Sequence, residues 1–176
     1  MNSSRQKFRL RFPERAIPAW AARYSYAGSD DDLLDRIRPL VLVRGHLTRP
    51  EFLKLCAWKS VRTKPRCRKN NAHRIETLTR AAFATSDEVL KIDLLRLLDG
   101  VEWPTASTIL HFCDARPYPI LDYRALWSLG YAKPPKYTMD LWLGYLEYTR
   151  GLATRLGLPI RTVDKALWQY SKEKQG

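Results

Sequence analysis

DEVLKIDLLRLLDGVEWPTASTILHFCDARPYPILDYRALWSLG, residues 87–130, is the stretch on which the reading of this chain turns. After Ser86, an N-cap by residue type, Val89, Leu90, Ile92, Leu94, Leu95, Leu97 and Leu98 recur at the spacing of an apolar helix face, and Asp99-Gly100 supplies a stop. Pro104 has the fixed φ of a first helical turn, and Thr105, Ala106, Ile109, Leu110 and Phe112 give a second helix its face before Asp114 and Pro117 end it. Two helices joined by about four residues, Gly100 to Trp103, form a helix-hairpin-helix over about 87–114, whose tight turn aims backbone N–H groups at an anion such as a phosphate. A proline-punctuated link from Arg116 to Leu121 leads to Asp122, directly before Tyr123-Arg124-Ala125-Leu126-Trp127. Asp122 therefore reads as an N-cap whose carboxylate is held as the anion by the dipole and free N–H groups of the helix it opens.

On the N-terminal side of this stretch the same logic gives more helices. Glu14 to Tyr24 forms a short one with Pro18 near its start. Ser29-Asp30-Asp31-Asp32 opens the next with a cap and first-turn acids, read as compensation of the helix dipole rather than as metal ligands; Leu33, Leu34, Ile37, Leu40 and Val41 line it, Pro39 kinks or splits it, and Gly45 ends it. Thr48-Arg49-Pro50-Glu51 is a capping box, with Phe52, Leu53, Leu55, Cys56 and Trp58 as its buried stripe. A further helix runs from about Asn71 to Phe83.

On the C-terminal side, the helix over Tyr123–Leu129 stops at Gly130, and Lys133-Pro134-Pro135-Lys136 makes a rigid link. Thr138 then caps a long helix carrying Leu141, Trp142, Tyr145, Leu146, Leu152 and Leu156 to Gly157, and a last helix from Pro159 to Lys174 packs Val163, Ala166, Leu167 and Tyr170 on the rest. Strand hairpins, P-loops and dinucleotide fingerprints are absent from the sequence. The expected fold is all-α: a compact multi-helix domain spanning residues 1–176, with a basic N-terminal arm over 1–13 and a basic loop over 59–74.

Thirty-one Lys and Arg stand against 18 Asp and Glu, a net charge of +13, so a polyanion is the expected partner. The charge is densest at Lys59, Arg62, Lys64, Arg66, Arg68, Lys69 and Arg74, with no acid among them, and each phosphate contact there would release counterions. Three scattered cysteines, Cys56, Cys67 and Cys113, give neither a disulfide framework nor a zinc pattern, which makes a reducing cytoplasm the expected setting. The opening MNSSRQKFRLRF lacks an apolar core and no run of 18 apolar residues occurs, so neither export nor membrane insertion is expected.

Leu98-Asp99-Gly100-Val101-Glu102-Trp103-Pro104-Thr105-Ala106, the apolar helix behind it, the proline link and Asp122 at 122 − 104 = 18 residues from Pro104 resemble the helix-hairpin-helix DNA glycosylase superfamily. The match covers roughly a quarter of the chain. The resemblance implies that Asp122 is the catalytic carboxylate, that Gly100, Val101 and Thr105 sit at the phosphate contact of the hairpin, and that the partner is double-stranded DNA. Pro104 stands where many members carry a Schiff-base Lys, which implies a monofunctional glycosylase without lyase action. Glu102 replaces the second hairpin glycine and places an acid where a phosphate contact is expected. No Cys follows Cys113, so the resemblance implies no iron–sulfur cluster, and no other cofactor or metal is expected.

Excision within a duplex requires a flipped nucleotide and a pocket with stacking faces. Trp103, Tyr118 and Tyr123 are the candidates for pocket or wedge; His111 is a candidate acid towards the leaving base, with a structural, hydrogen-bonded role as the simpler reading. The expected reaction is hydrolysis of the bond between deoxyribose and a damaged or modified base, in base-excision repair or in defence against phage DNA with modified cytosines. The alternative is a non-catalytic, monomeric DNA-binding protein in which Asp122 is only a cap, and a weaker one is binding of structured RNA through the basic segment.

Overall fold

The computed structural model describes residues 8–26 and 32–175, and every regular element among them is helical. In chain order the helices are α1 (Ile17–Ala22), α2 (Arg38–Arg44), α3 (Arg49–Lys59), α4 (Lys64–Cys67), α5 (Ala72–Ala84), α6 (Glu88–Arg96), α7 (Trp103–Cys113), α8 (Tyr123–Ser128), α9 (Met139–Leu156) and α10 (Ile160–Lys174). Short 3-10 turns precede α1 and α4, and a π-helical stretch over Asp32–Ile37 runs into α2. Residues 1–7 of the expected arm, and the Ser29 to Asp31 part of the expected cap, lie outside the described residues.

Within the span expected to be one domain, internal contacts group into two compact units. The first comprises residues 1–26 and 119–176 and contains α1, α8, α9 and α10. Its axis is α10, against which α1, α8 and α9 pack through a face that includes the buried Val163, Ala166 and Leu167. The arm at Phe8–Phe12 is laid onto this unit: Arg9 and Arg11 donate backbone N–H to Leu129 O (3.0 Å) and Ser128 O (2.9 Å). Phe8 lies among Tyr131, Tyr145 and Tyr148, and Phe12 packs on Tyr170. The alternation of basic and apolar residues thus serves a tether in which the rings are the anchors.

The second unit, residues 27–118, is built around α7. Ten of its eleven residues are buried, all but Pro104, and α2, α3 and α6 pack on it. Such a helix has no solvent face, and its buried Ser107 and Thr108 hydroxyls donate back to Pro104 O at 2.9 and 2.8 Å. The capping box of α3 is present, with Thr48 N–H donating to Glu51 Oε2 at 2.8 Å, and Phe52, Leu55 and Cys56 are its buried stripe. Asp87 rather than Ser86 caps α6, because its carboxylate reaches the N–H groups of Val89 (2.9 Å) and Leu90 (3.0 Å). Of the expected apolar face of α6, Val89, Leu90 and Leu97 are exposed, and Lys91 is fully buried instead, in an ion pair with Asp114 at the end of α7. Burial lowers the Lys91 pKa, and the Asp114 carboxylate opposes that shift.

Residues 59–74 are not a loop. They comprise the end of α3, a 3-10 turn, α4 and the Asn71 cap of α5, with Cys67 and Asn70 buried beneath. Pro65 sits in the first turn of α4, where its missing N–H costs nothing.

Candidate nucleic-acid interface and carboxylate

In the second unit the turn between α6 and α7 is six residues, Leu97 to Glu102, and it is fastened to the basic segment. Asn70, 1% exposed, donates through Nδ2 to Asp99 O (2.9 Å) and to Cys67 O (2.9 Å), and its Oδ1 accepts from Asp99 N–H (2.9 Å). Arg74 donates to Leu97 O at 2.5 Å, and Arg66 lies 3.9 Å from the Glu102 carboxylate. Gly100 has φ of 80°, and a Cβ there would stand 2.8 Å from Cys67 Sγ and 2.9 Å from Cys67 N. Only glycine meets both demands, the left-handed backbone and the close approach to α4. Beneath it, the Cys67 thiol is drawn down to about 7, chiefly by its hydrogen bond from Cys56, with burial opposing.

This geometry redistributes the expected contacts. Val101 is 2% exposed and its N–H closes the turn on Leu98 O, the N–H of Asp99 is taken by Asn70, and Thr105 is buried. The turn acts as a strut for the basic segment, and the exposed groups beside it are the side chains of Arg62, Arg66, Arg68, Lys69 and Arg74, with Lys59 and Lys64 half-buried. Glu102 is accounted for as a partner of Arg66.

Trp103 and Tyr118 do not stand as wedges. Trp103 opens α7, is 7% exposed, and is covered by the Arg96 guanidinium 4.0 Å from its ring centroid. Tyr118 is fully buried and donates its hydroxyl to Glu88 at 2.7 Å. Both were candidates because they flank the second helix on apparently irregular segments; helix α7 starts one residue earlier than Pro104, and ionic side chains pin the link after it. Arg116 donates to Thr85 O (3.0 Å) and Ser86 O (3.3 Å) and lies 3.7 Å from Glu88. His111 is buried, with Nδ1 2.5 Å from Tyr118 O. A carbonyl only accepts, so the proton is on Nδ1 and the ring holds the link in place.

In the first unit, Asp122 is the half-buried N-cap of α8 and accepts from Arg124 N–H at 2.8 Å. Two positions before it, both backbone groups of Ile120 are held: its N–H donates to Asp164 (3.0 Å), and its carbonyl accepts from the Tyr145 hydroxyl (3.0 Å). Asp164 is itself paired with Arg161. Asp122 therefore stands on a backbone fixed by α9 and α10. Tyr137 is pushed up to about 12 by burial and next by the charge on Asp122, which marks a phenol close to this carboxylate. Neither Tyr137 nor the Ile120 clamp has a signal in the sequence, since both depend on residues 15 or more positions away. Tyr123, 41% exposed with Arg124 5.4 Å from its ring, is the one expected stacking residue with an open face.

Against known protein families, curated proteins and solved structures, the chain finds no match. The functional reading therefore rests on its own residues. Among the described residues, no three His, Cys, Asp or Glu side chains gather as a metal centre requires, and no helix is long and apolar enough to cross a membrane. A cavity of about 480 Å³ in the second unit, lined by Val41, Leu42, Phe83, Cys113, Asp114 and Arg116 among others, includes none of the expected site residues.

Proposed function

We propose that the protein is a monofunctional DNA glycosylase acting on a damaged or modified base, with Asp122 as its catalytic carboxylate. The observation that carries this reading is the seat of Asp122: a half-buried carboxylate at a helix start, on a backbone clamped at Ile120, with an exposed aromatic next to it. The resemblance of residues 98–106 and 122 to the helix-hairpin-helix glycosylases supports it, and the arginine-rich surface around the α6–α7 turn supports a DNA partner.

Cleavage of the bond between C1′ and the base leaves positive charge on the sugar while the base departs with the bonding electrons and takes up a proton. A fixed carboxylate close to C1′ stabilises that oxocarbenium-like state and accepts the proton of the attacking water. Tyr123 offers a face for the extruded nucleotide.

Free bases released from alkylated, oxidised, uracil-containing and glucosylated phage DNA, read by mass spectrometry, test the proposal. Wild type is expected to release one class of base, and Asp122→Asn to lose about 100-fold or more of that release while retaining DNA affinity. No release from any substrate, with tight binding intact, would leave the second reading, a non-catalytic DNA-binding protein. That reading is favoured by one observation: the bond from Arg124 N–H already accounts for Asp122 as a cap, a role worth about 1 kcal/mol.

A further inference from the structure

On α10, Arg161, Lys165, Trp168 and Lys172 follow one another at intervals of four, three and four residues, the spacing of one helix face. With a rise of about 1.5 Å per residue, the three cations are spread over about 16 Å along the axis. Tyr24 and Tyr26 flank this face. Their rings lie nearly parallel at 15°, and both meet Trp168 edge-on, at 5.3 and 5.4 Å between centroids. Arg161 and Lys165 approach the Tyr24 ring at 5.0 and 5.1 Å, and Lys172 and Arg124 approach the Trp168 ring at 5.2 and 5.8 Å.

The arrangement is built rather than incidental. Ser25, between the two tyrosines, donates N–H and hydroxyl to the Oε1 of Gln169 (3.1 and 3.3 Å), which is 3% exposed, and Lys172 donates to Ser25 O at 2.9 Å. Both tyrosines are thereby fixed on α10 from the irregular segment that follows α1. Three aromatic rings, each half-buried, and four cations thus share one surface; among the described residues Asp164, buried and paired with Arg161, and Glu173, which pairs with Arg23 and accepts from Gln169 Nε2 at 2.7 Å, are acids of the same helix. Aromatic planes interleaved with cations are the chemistry of unpaired nucleotides: bases stack on the rings while phosphates meet the ammonium and guanidinium groups. A duplex keeps its base faces stacked internally, and an acidic peptide has little use for three rings. Arg124 reaches from this surface to Tyr123, the residue after Asp122.

We infer that the Tyr24, Tyr26, Trp168 and Lys165 face of α10 is a binding site for single-stranded DNA, holding unpaired nucleotides by stacking and phosphate contact. The inference rests on DNA as the partner but not on catalysis by Asp122.

Fluorescence anisotropy of a labelled 12-residue oligodeoxythymidylate, titrated with the full chain across a salt series, tests it. Trp168→Leu is expected to weaken binding about tenfold, and Trp168→Phe to retain most of the affinity. Lys165→Gln with Lys172→Gln, which removes two exposed or half-exposed charges and leaves the rings, is expected to lower the slope of log affinity against log salt by about 1.4. Unchanged affinity and slope in these variants would overturn the inference, as would equal displacement of the oligonucleotide by polyglutamate at matched charge. Base release by wild type is scored separately, so absence of glycosylase activity and absence of this site are distinct results.

Discussion

Gly100 shows how one residue carries two constraints at once. Its φ of 80° excludes most side chains, and the space a Cβ would fill is occupied by the backbone nitrogen and sulfur of Cys67. Backbone atoms of a helix cannot swing aside as the end of a flexible side chain can. Gly100→Ala is therefore expected to destabilise the protein by about 2 kcal/mol in chemical denaturation and to weaken duplex binding, because the turn and the basic segment separate together. Unchanged stability would show that the turn is not pinned on α4. Asn70 is the polar counterpart of this contact: a single buried amide satisfies both backbone groups of Asp99, 29 residues away. Asp122 is the opposite case, a residue whose local role as a cap is plain from the chain and whose surroundings, Tyr137 and the held Ile120, are not.

At the scale of elements, helix ends explain where the chain turns. Thr48 and Glu51 start α3, Asp87 starts α6, Thr138 starts α9, and Gly45 and Gly157, at φ of 78° and 63°, finish α2 and α9. Glu51 carries a pH signature. Burial pushes its carboxyl up, but Thr48 and the Arg44 guanidinium outweigh it and hold the pKa below the ordinary value of 4.5. Since the folded carboxyl binds its proton more weakly than the unfolded one, the capping box stabilises fully above the ordinary glutamate range, and that contribution is lost as pH falls below it. Glu51→Gln is accordingly expected to cost about 1 kcal/mol at neutral pH, shrinking towards nothing under acid conditions, as read from denaturation midpoints across pH. The buried pair of Lys91 and Asp114 joins α6 to the end of α7 by a different device, one in which removal of either charge leaves the other stranded.

For the whole molecule, the excess of positive charge is not spread evenly. In the second unit it stands around the α6–α7 turn, and in the first it stands along α10 among aromatic rings. Binding to duplex DNA should weaken steeply with salt. Arg62→Gln with Arg68→Gln, two exposed positions, is expected to lower that slope by about 1.8, the share of two phosphates, with no change in melting temperature. A slope unaffected by these substitutions would remove the basic segment from the interface.

The sequence alone determined the helical elements and nearly all of their boundaries, because caps, stops and apolar periodicity act within a few residues. It also determined Asp122 as a helix opener. It misread residues 59–74 as a loop, since a single turn such as α4 is stabilised by what it packs on, the buried Cys67, Asn70 and the turn beneath, rather than by its own pattern. It offered Trp103 and Tyr118 as rings of a pocket or wedge, although guanidinium stacking and a hydroxyl bond to Glu88 place them inside. Lys91, buried against Asp114, has no local signal of its burial. Only the tertiary structure decided these points, together with the joining of Asn70 to Asp99 and of Tyr24 and Tyr26 to α10, because each depends on a partner many residues away whose position no local spacing records.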